Sequence, residues 1–182
     1  LHPLNLPAFP DRIGDTRGVL QATFVLPDGS LLTGFNVHFP APYHPTEMRV
    51  AAYEHLAELL AALPANHHAF AAGDFNTTSC EDQRENLLDD YARPHWTVAQ
   101  DVGCQDCKGS YFYSRDSAWS FLDMILFAPA RGNKTTAQIR GDSVRIANRY
   151  PPQQSENGTP MSFSPEKNTG VSDHWPMVAT IE

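Results

Sequence analysis

The chain has 182 residues and a formal net charge of −8, with 41% hydrophobic and 19% charged residues, a size and balance that fit one soluble globular domain with a sizeable core. No apolar run is long enough to span a membrane. The acidic balance argues against a surface that holds nucleic acid by neutralising many phosphates, although metal ions can carry a phosphate contact. Residues 1–16 are rich in Pro and lack periodicity, so they read as an N-terminal loop ahead of a domain over residues 17–182. Residues 18–26 read as a strand, Pro27-Asp28-Gly29-Ser30 as a turn and residues 31–39 as the partner strand. Along that partner Asn36 and His38 share one side, and Phe35, Val37 and Phe39 share the other. Thr46 is expected to cap a helix whose apolar residues Val50, Tyr53, Leu56, Leu59, Leu60 and Leu63 recur at helical spacing, with Glu47, Glu54 and Glu58 on the wet side and Pro64 as the stop. His55, His67 and His68 are assigned to solvent or the helix end, because nothing spaces them as a closed metal site.

Residues 66–72 read as an apolar strand that ends in Gly73-Asp74-Phe75-Asn76. Alternation puts Asp74 and Asn76 on one side and packs Phe75 on the other. A carboxylate and an amide at a strand exit suit a hard cation or a phosphate, and equally a plain turn closed by an Asx-type hydrogen bond. Thr77 and Ser79 are expected to cap a short helix over residues 81–88, and residues 96–98 a short strand. Tyr111, Phe112, Tyr113 and Trp119 form an aromatic cluster that packs under a loop or stacks on a ligand. Within Leu122-Asp123-Met124-Ile125, the carboxylate is costly to bury without a hydrogen-bonded cation, and His174 is the candidate partner. Residues 131–138 read as an exposed loop, 139–146 as a strand, 147–169 as a long polar loop and 176–181 as the last strand. Triplets beginning at Asn133 and Asn157 have the form of glycosylation sequons.

Four blocks carry the polar residues: Asn36-Val37-His38, Gly73-Asp74-Phe75-Asn76, Leu122-Asp123-Met124-Ile125-Leu126 and Ser172-Asp173-His174. In this order the sequence resembles the endonuclease/exonuclease/phosphatase superfamily of deoxyribonucleases, abasic-site endonucleases, sphingomyelinases and phosphatases. The resemblance implies an α/β fold, a four-layer α/β sandwich of two mixed sheets with helices outside, of which the chain supplies roughly the second half. The family's early Asn and metal-binding Glu have no counterpart before Asn36, so the missing N-terminal half is an expected partner.

The resemblance implies a phosphoester hydrolase in which Asp74, helped by Asn76, positions or deprotonates the attacking water. It makes His38 a phosphate ligand or proton donor, and His174, oriented by Asp123, a phosphate ligand or proton shuttle. Asp173 is implied as a metal ligand for Mg2+ or Mn2+, and Ser172 as shaping the turn. The substrate is a nucleic acid, a phospholipid or a small phosphate ester; the alternative is a non-catalytic binding or scaffold protein that retains the fold. Cys104 and Cys107 either close a short disulfide, as in some secreted members, or are free thiols, and a secreted or periplasmic location is expected.

Overall fold

The computed structural model of the chain describes residues 1–6, 8–131 and 137–182. In chain order its elements are β1 (Leu20–Val25), β2 (Leu31–His38), α1 (Thr46–Ala62), β3 (His67–Asp74), α2 (Ser79–Glu85), β4 (Thr97–Val98), α3 (Ala99–Val102), β5 (Tyr111–Tyr113), β6 (Ala118–Ser120), β7 (Asp123–Ala128), β8 (Ile139–Ile146) and β9 (Met177–Ile181). The main sheet has the order β1-β2-β3-β7-β4, while β5 pairs with β6 and β8 with β9. The β2 and β3 strands are parallel and joined through α1; the other neighbours are antiparallel. Mixed pairing of this kind requires a crossover, and the α1 segment is long enough to supply it.

Period-2 alternation gives the central strands two apolar faces. Phe35 and Val37 of β2, Ala69 and Ala71 of β3, and Met124 and Leu126 of β7 are buried with Met48, Ala52, Tyr53 and Leu56 of α1. Leu32, Phe70, Ile125 and Phe127 point the other way and pack with Ile139 and Val144 of β8 and Met177, Ala179 and Ile181 of β9. The layers are therefore helix, five-stranded sheet and two-stranded sheet. Each fully buried large apolar side chain contributes about 1.5–3 kcal/mol, so both faces are needed. Edge strand β1 is different: Leu20, Phe24 and Val25 are exposed, and its hydrogen bonds run to β2 alone within the sheet.

Several local expectations change. Thr46 does not cap α1; Pro45 holds that position, and the Thr46 hydroxyl donates instead to Glu81 Oε1 at 2.6 Å. The cap of α2 is Thr78, which accepts from the Glu81 amide, rather than Thr77 or Ser79; Thr77 is buried against the Tyr53 hydroxyl at 2.9 Å. His68 lies in the core rather than in solvent, accepting from the Ala130 amide and stacked near Phe127. His67 meets the Thr33 hydroxyl at 2.9 Å. The expected loop over residues 1–16 holds a 3-10 helix at Pro10–Asp15, Leu4 and Leu6 are buried in the same core, and His2 bridges Val19. The segment 147–169 holds a 3-10 turn at Pro151–Gln153 and bridges from Gln154 to Pro160 and from Ser164 to Thr169. Cys104 and Cys107 form a disulfide, and Cys80 is free and exposed. The Asn133 sequon and most of the expected loop at 131–138 fall outside the described residues.

Candidate active site

Strand register alone sets three of the expected residues in a row. His38 lies opposite Asp74 across β2 and β3, and Asp74 opposite Asp123 across β3 and β7. By alternation, all three share the face that carries Leu32, Phe70 and Ile125, the face covered by β8 and β9. The row forms at the C-terminal ends of the two parallel strands, where open α/β sheets place their ligands. Gly73 allows the close approach there: its φ is +141°, and a Cβ would lie 2.1 Å from the Val37 carbonyl oxygen.

His38 Nε2 lies 3.5 Å from Asp74 Oδ2. The other Asp74 oxygen accepts from the Asn76 amide at 2.8 Å, while Asn76 adopts a left-handed φ of 51°. Asn76 Nδ2 then donates to the Phe39 carbonyl at 2.9 Å. The Asx-type turn and the polar display are thus one feature: the turn that ends β3 fixes the carboxylate and ties it to the end of β2.

The fourth member arrives from the far end of the chain. Ser172 Oγ accepts from the His174 amide, Tyr111 bridges His174 along the backbone, and His174 Nδ1 pairs with Asp123 Oδ2 at 2.6 Å. Asp123 is held in turn by its amide donating to the buried Ser110 hydroxyl at 2.9 Å. The Tyr111 ring leans on the imidazole at 4.8 Å. Trp119, the other end of the aromatic cluster, packs against Phe112 and Trp175.

Electrostatics follows from this crowding. Burial raises the Asp74 carboxyl, and Asp123 adds to the rise against the lowering effects of the Asn76 amide, His174 and His38. For His174 burial acts downward, but the Asp123 hydrogen bond and charge, with Asp74 and Asp173, outweigh it and raise the imidazole above its ordinary value. Burial, with Tyr111 and Asp74 near, pushes Tyr113 up to about 12, so it stays a neutral phenol.

His38, Asp74, Asn76, Asp123, Ser172, Asp173 and His174 line one cleft of about 670 Å3, together with Gly14, Asp15, Arg17, Ala41, Tyr43 and His44. Those last six were missed in the sequence, and so was what holds them. Arg12 donates to His44 Nδ1 at 2.9 Å, beside Asp15. Buried Arg49 pairs with Glu81 and donates to the carbonyls of Pro40, Ala41 and His44. One signal was present: Arg49 stands four residues before Tyr53 and seven before Leu56, a cation on the apolar stripe of its helix.

The donors on the cleft are hard oxygens, the chemistry that Mg2+ or Mn2+ prefers. Yet Asp123 is engaged by His174 and Asp173 is exposed. Among the described residues no three His, Cys, Asp or Glu side chains gather as a metal centre. These residues alone do not fit a complete metal site.

A sequence model of the endonuclease/exonuclease/phosphatase family matches residues 2–174. The chain belongs to this family. Curated proteins give no match. Among solved structures, a humanized D. rerio TDP2 carrying 14 mutations is 15% identical with a TM-score of 0.67, over 91% of this chain and 60% of that one. D. rerio TDP2 complexed with single-strand DNA product gives 13% and 0.66, over 91% and 61%. Bacteroides thetaiotaomicron mannosyl-6-phosphatase Bt3783 gives 17% and 0.51, over 85% and 52%. At these identities the likeness is one of fold. The chain spans about six tenths of the length of the two TDP2 structures.

Proposed function

We propose that the cleft of this endonuclease/exonuclease/phosphatase-family chain hydrolyses a phosphate ester. The observation that carries the reading is the row His38, Asp74, Asp123, closed by the 2.6 Å pair of Asp123 with His174. Hydrolysis needs a water stripped of a proton and a cation facing the charge that grows on the phosphoryl oxygens. Asp74 suits the first task, since its raised carboxyl binds a proton better than an exposed one. His174 suits the second: Asp123 favours the charged ring and engages Nδ1, which leaves Nε2 to donate to a phosphoryl oxygen. His38 beside Asp74 is the donor for a second oxygen or for the leaving group, and Asn76 holds Asp74 in place.

A divalent ion, Mg2+ or Mn2+, would supply further charge neutralisation, with Asp173 among its ligands. The chain spans about six tenths of the TDP2 structures, which supports completion of that site by residues outside these 182. Substrates remain as wide as phosphodiesters and phosphomonoesters, and the TDP2 and mannosyl-6-phosphatase neighbours support testing both. The Cys104–Cys107 disulfide supports an oxidising, secreted or periplasmic setting.

The test is turnover of bis(p-nitrophenyl) phosphate and p-nitrophenyl phosphate by the native polypeptide, with Mg2+, with Mn2+ and with chelator. Turnover that disappears in Asp74→Ala and in His174→Ala is expected. No turnover of either ester with either ion would return the chain to a binding or scaffold role. Turnover by the isolated 182 residues would overturn only the clause on completion.

A further inference from the structure

A second groove, of about 590 Å3, has Trp175 in its lining. Trp175 follows His174 directly in the chain. A smaller cavity shares Asp123, Ser172 and His174 with the catalytic cleft and Trp175 with the groove, so the two spaces are neighbours.

The groove's chemistry runs against the character of the chain. Acids outnumber bases 21 to 13 overall, yet Lys108, Arg145 and Arg149 all line this one groove. Arg12, Arg49, Arg84, Arg93 and Arg140 are each paired with a carboxylate. Lys108, Arg145 and Arg149 have no carboxylate partner among the described residues; Arg145 donates only to the Ser143 carbonyl at 3.3 Å. Of the two acids on the groove, Asp142 is held by Arg140 at 3.0 Å.

The frame around these cations is stiff. The disulfide closes one wall. Gly103 meets Gly141 so closely that a Cβ on the first would lie 2.1 Å from the second's carbonyl oxygen. Gly109, at φ +152°, presses in the same way on Ser120. Unpaired cations around a concave frame bind multivalent oxyanions without an internal ion pair being broken first.

We propose that this groove is a second anion subsite, which takes a phosphate of the substrate other than the one being cleaved, through Arg145, Arg149 and Lys108. The proposal rests on the phosphoester reading of the neighbouring cleft. It makes the preferred substrate one with at least two phosphates, the first at His174 and the second in the groove lined by Trp175.

The experiment compares thymidine 3′,5′-bisphosphate with thymidine 5′-monophosphate by isothermal titration into the native polypeptide, wild type and R145Q/R149Q, both side chains being exposed. The bisphosphate is expected to bind about tenfold more tightly to the wild type, and the advantage is expected to vanish in the double variant while monophosphate binding stays. Equal binding of the two ligands, or an advantage that survives the substitutions, would overturn the subsite. Turnover of bis(p-nitrophenyl) phosphate on the same samples separates the two ideas. Turnover without a bisphosphate advantage removes the subsite alone. An advantage lost in R145Q/R149Q, but without turnover, supports the groove and removes the hydrolase reading.

Discussion

The Arg49–Glu81 pair offers a test of how the cleft is held. Their side chains are 1% and 6% exposed, and the guanidinium also serves the carbonyls of Pro40, Ala41 and His44. Arg49→Met leaves a buried carboxylate without its cation and takes the guanidinium donor from the Pro40 and His44 carbonyls, while the Ala41 carbonyl keeps the His44 amide. Breaking one side of such a pair costs about 3–5 kcal/mol. For a chain of this length each kcal/mol moves the melting temperature by about 2–4 °C, so a fall of roughly 6–20 °C is expected in a thermal melt followed by circular dichroism. Arg49→Met with Glu81→Leu removes both charges and should recover the part of that loss due to the unpaired carboxylate, leaving about 1 kcal/mol for each of the Thr46 hydroxyl without its acceptor and the carbonyls still without the guanidinium. The loop that carries Tyr43 and His44 stays untethered in the double variant. Partly recovered melting with a raised KM is therefore the expected signature. A single variant that loses less than about 1 kcal/mol, or a double variant less stable than the single, would refute the reasoning.

Three further outcomes are expected. Burial raises the Asp74 carboxyl, so its ionised form is penalised by folding: stability is fullest below the ordinary carboxylate range and is lost as pH rises through the raised value. Asp74→Asn should thus melt higher than wild type at pH 8, by about 1 kcal/mol, with the gap closing towards pH 4, while turnover falls about 10²–10⁴-fold; equal gaps at both pH values would sink the argument. The raised imidazole of His174 contributes stability that is complete below about pH 6.5 and fades as pH rises through its folded value. Asp123→Asn should remove that contribution and pull the alkaline limb of the pH–rate profile to lower pH, and an unmoved limb would show that Asp123 does not charge the ring. Gly73→Ala, which drives a Cβ to 2.1 Å from the Val37 carbonyl oxygen at a positive φ, should cost about 3 kcal/mol, whereas Gly14→Ala, with open space around it, should barely shift the melt.

What the sequence disclosed was periodic. Alternation in Gly34-Phe35-Asn36-Val37-His38 and in Leu122-Asp123-Met124-Ile125 was enough to sort core from display, and β1, β2, β3, β4, β8 and β9 lie within a residue or two of the expected ranges, whereas β5 and β6 were read only as an aromatic cluster. The Pro-rich opening offered no period, so nothing marked Leu4 and Leu6 as core or Gly14, Asp15 and Arg17 as cleft. Capping misled for a related reason. Thr46, Thr77, Thr78 and Ser79 are chemically interchangeable as caps, and only the tertiary partners Glu81 and Tyr53 decide which hydroxyl is free for the helix end. Arg49 was legible only as an anomaly, because its partners sit 32 residues downstream and in a loop without pattern.

The pair of Asp123 with His174 joins positions 51 residues apart, and this has a consequence for how the chain comes off the ribosome. When β7 has emerged, its first residue is a half-buried carboxylate beside Asp74, with its imidazole partner not yet synthesised. Until His174 arrives, Asp123 and Asp74 stand opposite one another without the imidazole that offsets their charge. Catalytic competence, on the proposed reading, then reports that synthesis has run through Ser172-Asp173-His174.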